Sequence, residues 1–280
     1  MKQLVKKVLT KLKLLDKVIL IYGNLGSIRY MNLSHEMKYR LKGAPDGYAL
    51  PPSSLIYQVI GHGWRSIFYD SGDLIVKHML EHLKRNQIEF KNFSSILDFG
   101  CGCGRLLRHI KSQGSAQLQG SDYNRKLIQW CQENLKFADF NVNHLAPPIQ
   151  YHDEEFDLIY AQSVFTHLSK ELQLQWLREL HRILRPKGIL YFTTHGEQFF
   201  QMLTDQQKQT LKKENIFVLN IESQGKNWCT SFHLPLFFKQ KLKKGFEMID
   251  FIPGKDQIHL QQDVNIFKKN HHLFEFYNSQ

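Results

Sequence analysis

The stretch ILDFGCGCGRLL, residues 96–107, decides the fold. Ile96–Phe99 is a short apolar run that reads as a buried strand, and Arg105–Ser112 has helical spacing. Between them Gly100, Gly102 and Gly104 alternate with Cys101 and Cys103. Glycine reaches backbone conformations closed to other residues and lets main chain approach a ligand. A glycine turn between strand and helix is therefore a candidate binding loop. A dinucleotide fingerprint needs G-x-G-x-x-G, and from Gly100 the sixth position is Arg105, so that pattern fails. The spacing is G-x-G-x-G, with Asp98 inside the strand before it.

Working outward, apolar runs alternate with helical segments. Gln117–Ser121 reads as a strand, Arg125–Leu135 as a helix and Phe137–Val142 as a weak strand. Phe156–Gln162 is a strand, Lys170–Leu184 a helix and Gly188–Thr193 a strand. That βαβα order implies an α/β fold, a doubly wound parallel sheet with helices on both faces. The end differs. Phe246–Ile252 and Asp263–Phe267 are strand-like runs joined by a short link with Pro253 and Gly254. No helix fits between them, so they should pair antiparallel. Residues 197–244 read as a helix, two short strands around 216–221 and 228–233, and a helix from Pro235. Asp122 follows Gln117–Ser121 at the strand tip, where a carboxylate can accept both ribose hydroxyls of a nucleoside. Ligands of open α/β sheets lie at the carboxyl ends of the strands, which places Asp98 and Asp122 together.

Toward the N-terminus, Leu4, Val8, Leu12, Leu15 and Ile19 repeat at helical spacing, with Lys2, Lys6, Lys13 and Lys17 opposite. Such a helix over 4–19 suits an anionic membrane surface or the protein's own domain; the reading adopted is docking on the domain. Residues 43–54 form a Gly/Pro loop, and 73–90 are helical again. Of the +11 formal charge, residues 1–30 hold seven Lys/Arg against Asp16 alone, and 205–245 hold eight Lys against three acids. The basic residues do not interleave with a nucleic-acid module, so nucleic acid is disfavoured as a partner. The uncharged stretch 18–28 is too short to span a bilayer, and Lys11, Lys13, Asp16 and Lys17 interrupt any signal-peptide core. A cytoplasmic protein, peripheral to a membrane at most, with reduced thiols is expected. None of Cys101, Cys103, Cys131 and Cys229 forms a spaced set with His that would bind zinc. Cys101 and Cys103 read as small loop fillers.

Four segments together resemble class I S-adenosylmethionine-dependent methyltransferases: ILDFGCGCGRLL at 96–107, GSDYN at 120–124, FDLIYAQSVFTHL at 156–168 and LHRILRPKGILYFTTHG at 180–196. They stand in that family's order and spacing. FEMIDFIPG and QDVNIFKK (246–254 and 262–269) resemble the strands that close its Rossmann-like, seven-stranded sheet. The resemblance implies a methyltransferase domain over 73–270, a helical N-terminal extension and cap over 1–72, a substrate-side insert at 197–244 and a tail at 271–280. It implies S-adenosylmethionine as cofactor and no metal. Carried over by position, Asp98, Phe99, Gly100, Cys101, Gly102 and Gly104 line its methionyl and ribose parts. Asp122 takes the ribose hydroxyls and Tyr123 stacks beside the adenine. The acid usual at the third strand end is missing; Asn143 or its neighbour His144 stands there. Gln162 and Ser163 face the cofactor.

A hydroxyl acceptor needs a base as the methyl group arrives. His195, after the fifth strand, and His167, after the fourth, are the candidates, with His233 third. Enzymes that methylate base amino groups carry an Asn/Asp-Pro-Pro-aromatic turn directly after strand four. Here Ala146-Pro147-Pro148-Ile149 precedes that strand and Gln162-Ser163-Val164-Phe165 follows it, which argues against that chemistry. Residues 48–73 and 197–244 supply Tyr57, His62, Trp64, Tyr69, Trp228 and His233, a lining suited to a small organic or glycan acceptor. The alternative is an RNA or protein methyltransferase recruited through its basic ends.

Overall fold

The structure is a computed structural model, and it describes residues 32–256 and 261–270. The helix read over 4–19 and the tail 271–280 lie outside the described residues.

Helices α1 (Leu33–Lys42), α2 (Ser53–Ile60) and α3 (Arg65–Arg85) precede the sheet. The sheet strands are then interleaved with helices: β1 (Ser95–Phe99), α4 (Leu107–Ile110), β2 (Gln117–Asp122), α5 (Arg125–Asn134), β3 (Asp139–Val142), β4 (Phe156–Ala161), α6 (Lys170–Ile183) and β5 (Leu184–Thr194). The insert holds α7 (Asp205–Glu214), β6 (Ile216–Leu219), β7 (Thr230–His233) and α8 (Pro235–Leu242), and β8 (Phe246–Ile252) and β9 (Asp263–Lys269) end the sheet. Its order is β3-β2-β1-β4-β5-β9-β8, seven strands. The pairings from β3 to β5 are parallel, and β9 runs antiparallel to both β5 and β8. β6 and β7 pair separately, as an antiparallel ribbon.

The strands bury both faces, and their alternation sorts the core. Ile96, Leu158, Tyr160, Ile189, Tyr191 and Ile266 face α3, α4 and α5 through Ile75, Met79, Leu107 and Ile128. Leu97, Phe99, Ile159, Leu190, Phe192 and Phe267 face α6 and α8 through Trp176, Leu180, Phe237 and Phe238. One sheet with period-two side chains between two helical layers is the arrangement that the sequence implied.

The N-terminal part differs from its reading. α3 begins at Arg65, not 73, and runs unbroken through the expected division at residue 73. Its first turn is capped from another helix: Glu36 of α1 accepts hydrogen bonds from Ser66 N (2.9 Å), Ser66 Oγ (2.9 Å) and Arg65 N (3.3 Å). A cap borrowed across 30 residues leaves no local signal. Gly72 sits inside α3 where a Cβ would come 2.6 Å from the Arg105 carbonyl oxygen. It is a close-packing position. The helix read over 105–112 shortens to Leu107–Ile110 and a 3₁₀ turn, and β3 starts at Asp139 rather than Phe137.

Candidate functional site

The carboxyl ends of β1, β2 and β4 deliver three loops to one edge of the sheet. They form a cleft with about 890 Å³ of empty space, its mouth included. The turn after β1 makes the floor. Gly100 has φ +79°, and a Cβ there would sit 2.4 Å from Val164 Cγ2. Gly102 has φ +57°, and its Cβ would sit 2.9 Å from Val59 Cγ2. Side chains are excluded on both counts, so the main chain itself lines the cleft.

Asp122 is 9% exposed. Its Oδ2 accepts from the Gly102 amide (3.0 Å) and its Oδ1 from the Asn124 amide (2.8 Å). Burial raises its pKa, and those two amides pull it back. A carboxylate offers about four lone-pair sites, so two amides leave room for a ligand's hydroxyls.

Asp98 is 2% exposed and its Oδ2 has no hydrogen-bond partner. Burial pushes its pKa up to about 7, against the pull of Tyr160 and Arg105 beside it. Arg105 gives Nη1 to Ser71 Oγ (3.1 Å), while its Nε is buried without a partner. Burial draws this guanidinium down to about 10, opposed by Asp98. Buried polar atoms are nearly always paired, so an open acceptor beside an open donor calls for a ligand carrying both complements. The ammonium and carboxylate of a methionyl group fit that pair, and the glycine cradle and Asp122 fit a ribose. The residues present therefore suit S-adenosylmethionine.

The cleft is roofed. Gln58 and Val59 come over from α2, and Gly225 and Asn227 from the loop between β6 and β7. Asn227 Nδ2 donates to the Gln58 carbonyl oxygen (3.3 Å), and Asn124 Nδ2 to Gln58 Oε1 (2.9 Å). The Tyr123 hydroxyl donates to the Gly225 carbonyl oxygen, and the Gly225 amide to that of His167 (2.7 Å).

Of the residues singled out in the sequence, Asp98, Gly100, Cys101, Gly102, Asp122, Tyr123, Gln162, Ser163 and His167 line this cleft. Gln262, just before β9, steadies Gln162 and Ser163: its Oε1 accepts from Ser163 Oγ (2.9 Å) and Gln162 Nε2 (3.2 Å). Others stand elsewhere. Phe99 points to the opposite face of β1 and packs on Trp176 (ring centroids 4.6 Å apart). A Cβ on Gly104 would meet Leu135, on the core side. Asn143 binds Asp122 O through its amide (3.2 Å) and turns its side chain to His144 O (2.6 Å). His195 is set apart from the cleft lining. β5 runs on to Thr194, and His195 bridges to Phe232 of β7, its carbonyl oxygen accepting the His233 amide (2.9 Å). This pairing draws the ring into the insert, against Phe199 (4.1 Å) and 6.3 Å from His167. Burial, with His167 adding to it, drops its pKa to about 3. His233 is buried too, bonded to Gln173 Oε1 (2.9 Å), and its pKa falls to about 3.

Among the described residues, His167 is the histidine that lines the cleft. Its Nδ1 donates to the Cys229 carbonyl oxygen (2.7 Å), which leaves Nε2 with the free lone pair. Burial lowers its pKa, opposed by that hydrogen bond. Arg105, Val164, Gln58 and Asn227 were not singled out in the sequence. The first two lie inside quoted motifs; the other two reach the cleft only through tertiary structure.

Residues 96–188 match the family described as "Methyltransferase domain". The phosphoethanolamine N-methyltransferase of Plasmodium falciparum is 24% identical over 140 residues, 49% of this chain and 52% of that protein. A malonyl-[acyl-carrier protein] O-methyltransferase of Calditerrivibrio nitroreducens is 27% identical over 207 residues, 72% of each. The chain thus spans about half the length of the first of these relatives. The crystal structure of a SAM-dependent methyltransferase from Methanosarcina mazei shares the fold, with TM-score 0.50 and 20% identity over 64% of this chain and 93% of that one.

Proposed function

With its sheet domain belonging to the class I S-adenosylmethionine-dependent methyltransferase family, we propose that this protein methylates a small organic or glycan acceptor, at an oxygen. The bound cofactor supplies the electrophilic methyl group. The chain's residues hold it, align the acceptor and keep water out. Asp98 and Arg105 take the methionyl end, and Asp122 takes the ribose hydroxyls. Tyr123 and the roof close the nucleoside end. His167 Nε2 accepts the acceptor's proton.

The observation that carries a small acceptor is the roof. α2 and the β6–β7 loop meet over the cleft through Asn227–Gln58, and Tyr123 ties the same loop to β2. A cleft closed from two sides suits a ligand that enters whole better than a folded macromolecule. Radiolabelled methyl transfer into a fractionated cell extract tests the reading. Label in the small-molecule or glycan fraction supports it, and label confined to protein or RNA overturns it.

A further inference from the structure

α1 is amphipathic the wrong way round. Its buried residues are Glu36 and Tyr39, while Leu33, Met37 and Leu41 are 67%, 46% and 78% exposed. The inward face is fixed by polar contacts. Glu36 caps α3 and binds Arg40 Nε (3.1 Å), the Tyr39 hydroxyl donates to Asp70 Oδ1 (2.5 Å), and His35 Nε2 meets Asp70 Oδ2 (2.8 Å). α1 therefore cannot roll its apolar stripe inward without breaking the cap of α3. Single exposed apolar side chains are ordinary, but three at i, i+4 and i+8 form one continuous stripe.

Cations flank that stripe. At 100° per residue, Arg40 falls on one side of Leu33, Met37 and Leu41 and Lys38 on the other, with Lys42 farther round on that same side, next to His35. The one acid of the helix, Glu36, is turned inward. Residues 1–30, which precede it in the chain, carry seven further cations against one acid. We propose that the outward face of α1 seats the protein on an anionic lipid surface, its leucines and methionine entering the acyl boundary and its cations meeting the headgroups. Apolar residues banked by Lys and Arg are the pattern of an interfacial helix. Charge chooses this occupant over the alternatives. The N-terminal segment is itself basic, with seven cations against one acid, and a second copy would oppose Lys38, Arg40 and Lys42 with the same three residues. Neither brings a compensating anion, whereas an acidic bilayer does. Nucleic acid supplies anions but nothing for the stripe to bury.

The test uses the full chain in co-sedimentation with phosphatidylcholine vesicles, with and without phosphatidylserine, at low and high salt. The parent protein should bind the acidic vesicles only, and less at high salt. Leu33→Ser/Met37→Ser/Leu41→Ser should weaken that partitioning at least about tenfold with an unchanged melting temperature. Lys38→Glu/Lys42→Glu should weaken it by about as much. Absence of binding by the parent, or binding unchanged in the triple variant, overturns the proposal. So does a triple variant that melts several degrees lower or turns a dimer into a monomer, because the face would then be covered by protein.

Discussion

The Gly102 amide donates to Asp122 Oδ2 over 3.0 Å, so the turn after β1 and the tip of β2 are fastened as one unit. Asp122→Ala removes that fastening together with the acceptor for ribose hydroxyls. Hydrogen bonds to a charged group contribute roughly 1.5–3 kcal/mol each. The substitution should weaken S-adenosylhomocysteine binding at least about tenfold in calorimetry, with the far-ultraviolet circular dichroism unchanged. Parent affinity in the variant would place the ribose elsewhere.

Asp98 gives a pH dependence with a definite sign. Its carboxyl is pushed up to about 7 by burial, so near neutrality a large share of the free protein carries it protonated. A ligand ammonium favours the ionised form and lowers that pKa. Binding therefore releases a proton. Cofactor affinity should fall as pH drops from 8 to 6, and calorimetry at pH 7 should show a heat that varies with the buffer's ionisation enthalpy. Asp98→Asn should abolish both effects.

Gly100 combines a left-handed backbone with a wall. Gly100→Ala adds φ strain of roughly 1–3 kcal/mol and presses its methyl onto Val164. A lower melting temperature and weaker cofactor binding should result. Adding Val164→Ala should recover only the part due to contact, because the backbone strain at φ +79° remains. Full recovery in the double variant would show that the wall alone forbids a side chain.

The two histidines should separate cleanly. His167→Ala should lower turnover by roughly 10²–10⁴-fold, with cofactor affinity nearly unchanged. Burial holds the His167 pKa below its ordinary 6.5. Parent turnover should then be flat from neutral pH upward and fall only under acid. His195→Ala should instead lower stability by roughly 1–3 kcal/mol and leave turnover close to that of the parent, because His195 packs in the insert. Its folded pKa of about 3 lies below the unfolded value. The stability it contributes is therefore present above about pH 6.5 and is lost as pH falls from there toward 3. His195→Phe should melt less steeply with acid than the parent.

Most of the sheet was legible because its strands are buried on both faces and read as apolar runs. β1, β2, β4 and β5 lie where such runs predict, as do the antiparallel pair β8–β9 and the elements of the insert. The glycine loop and both aspartates were legible for the same local reason: they adjoin strand ends. What escaped notice depends on distant partners. α3 starts early because Glu36 caps it, and α2 becomes the roof because Gln58 meets Asn124 and Asn227. His195 follows a strand end, as expected of a site residue, but its main chain pairs with β7 and the ring goes with it. Spacing along the chain cannot register a pairing made with residue 232.

The bridges over the cleft also set a timetable. If the spent cofactor leaves past Asn227–Gln58 and Tyr123–Gly225, both latches must part first. Departure of the spent cofactor then becomes a first-order event governed by the opening of the β6–β7 loop. Under multiple turnover such an enzyme is paced by its door. A pre-steady-state burst of one methylated product per protein molecule, followed by a slower linear phase, would be the kinetic trace of that latch, and Asn227→Ala should quicken the slow phase while leaving the burst amplitude intact.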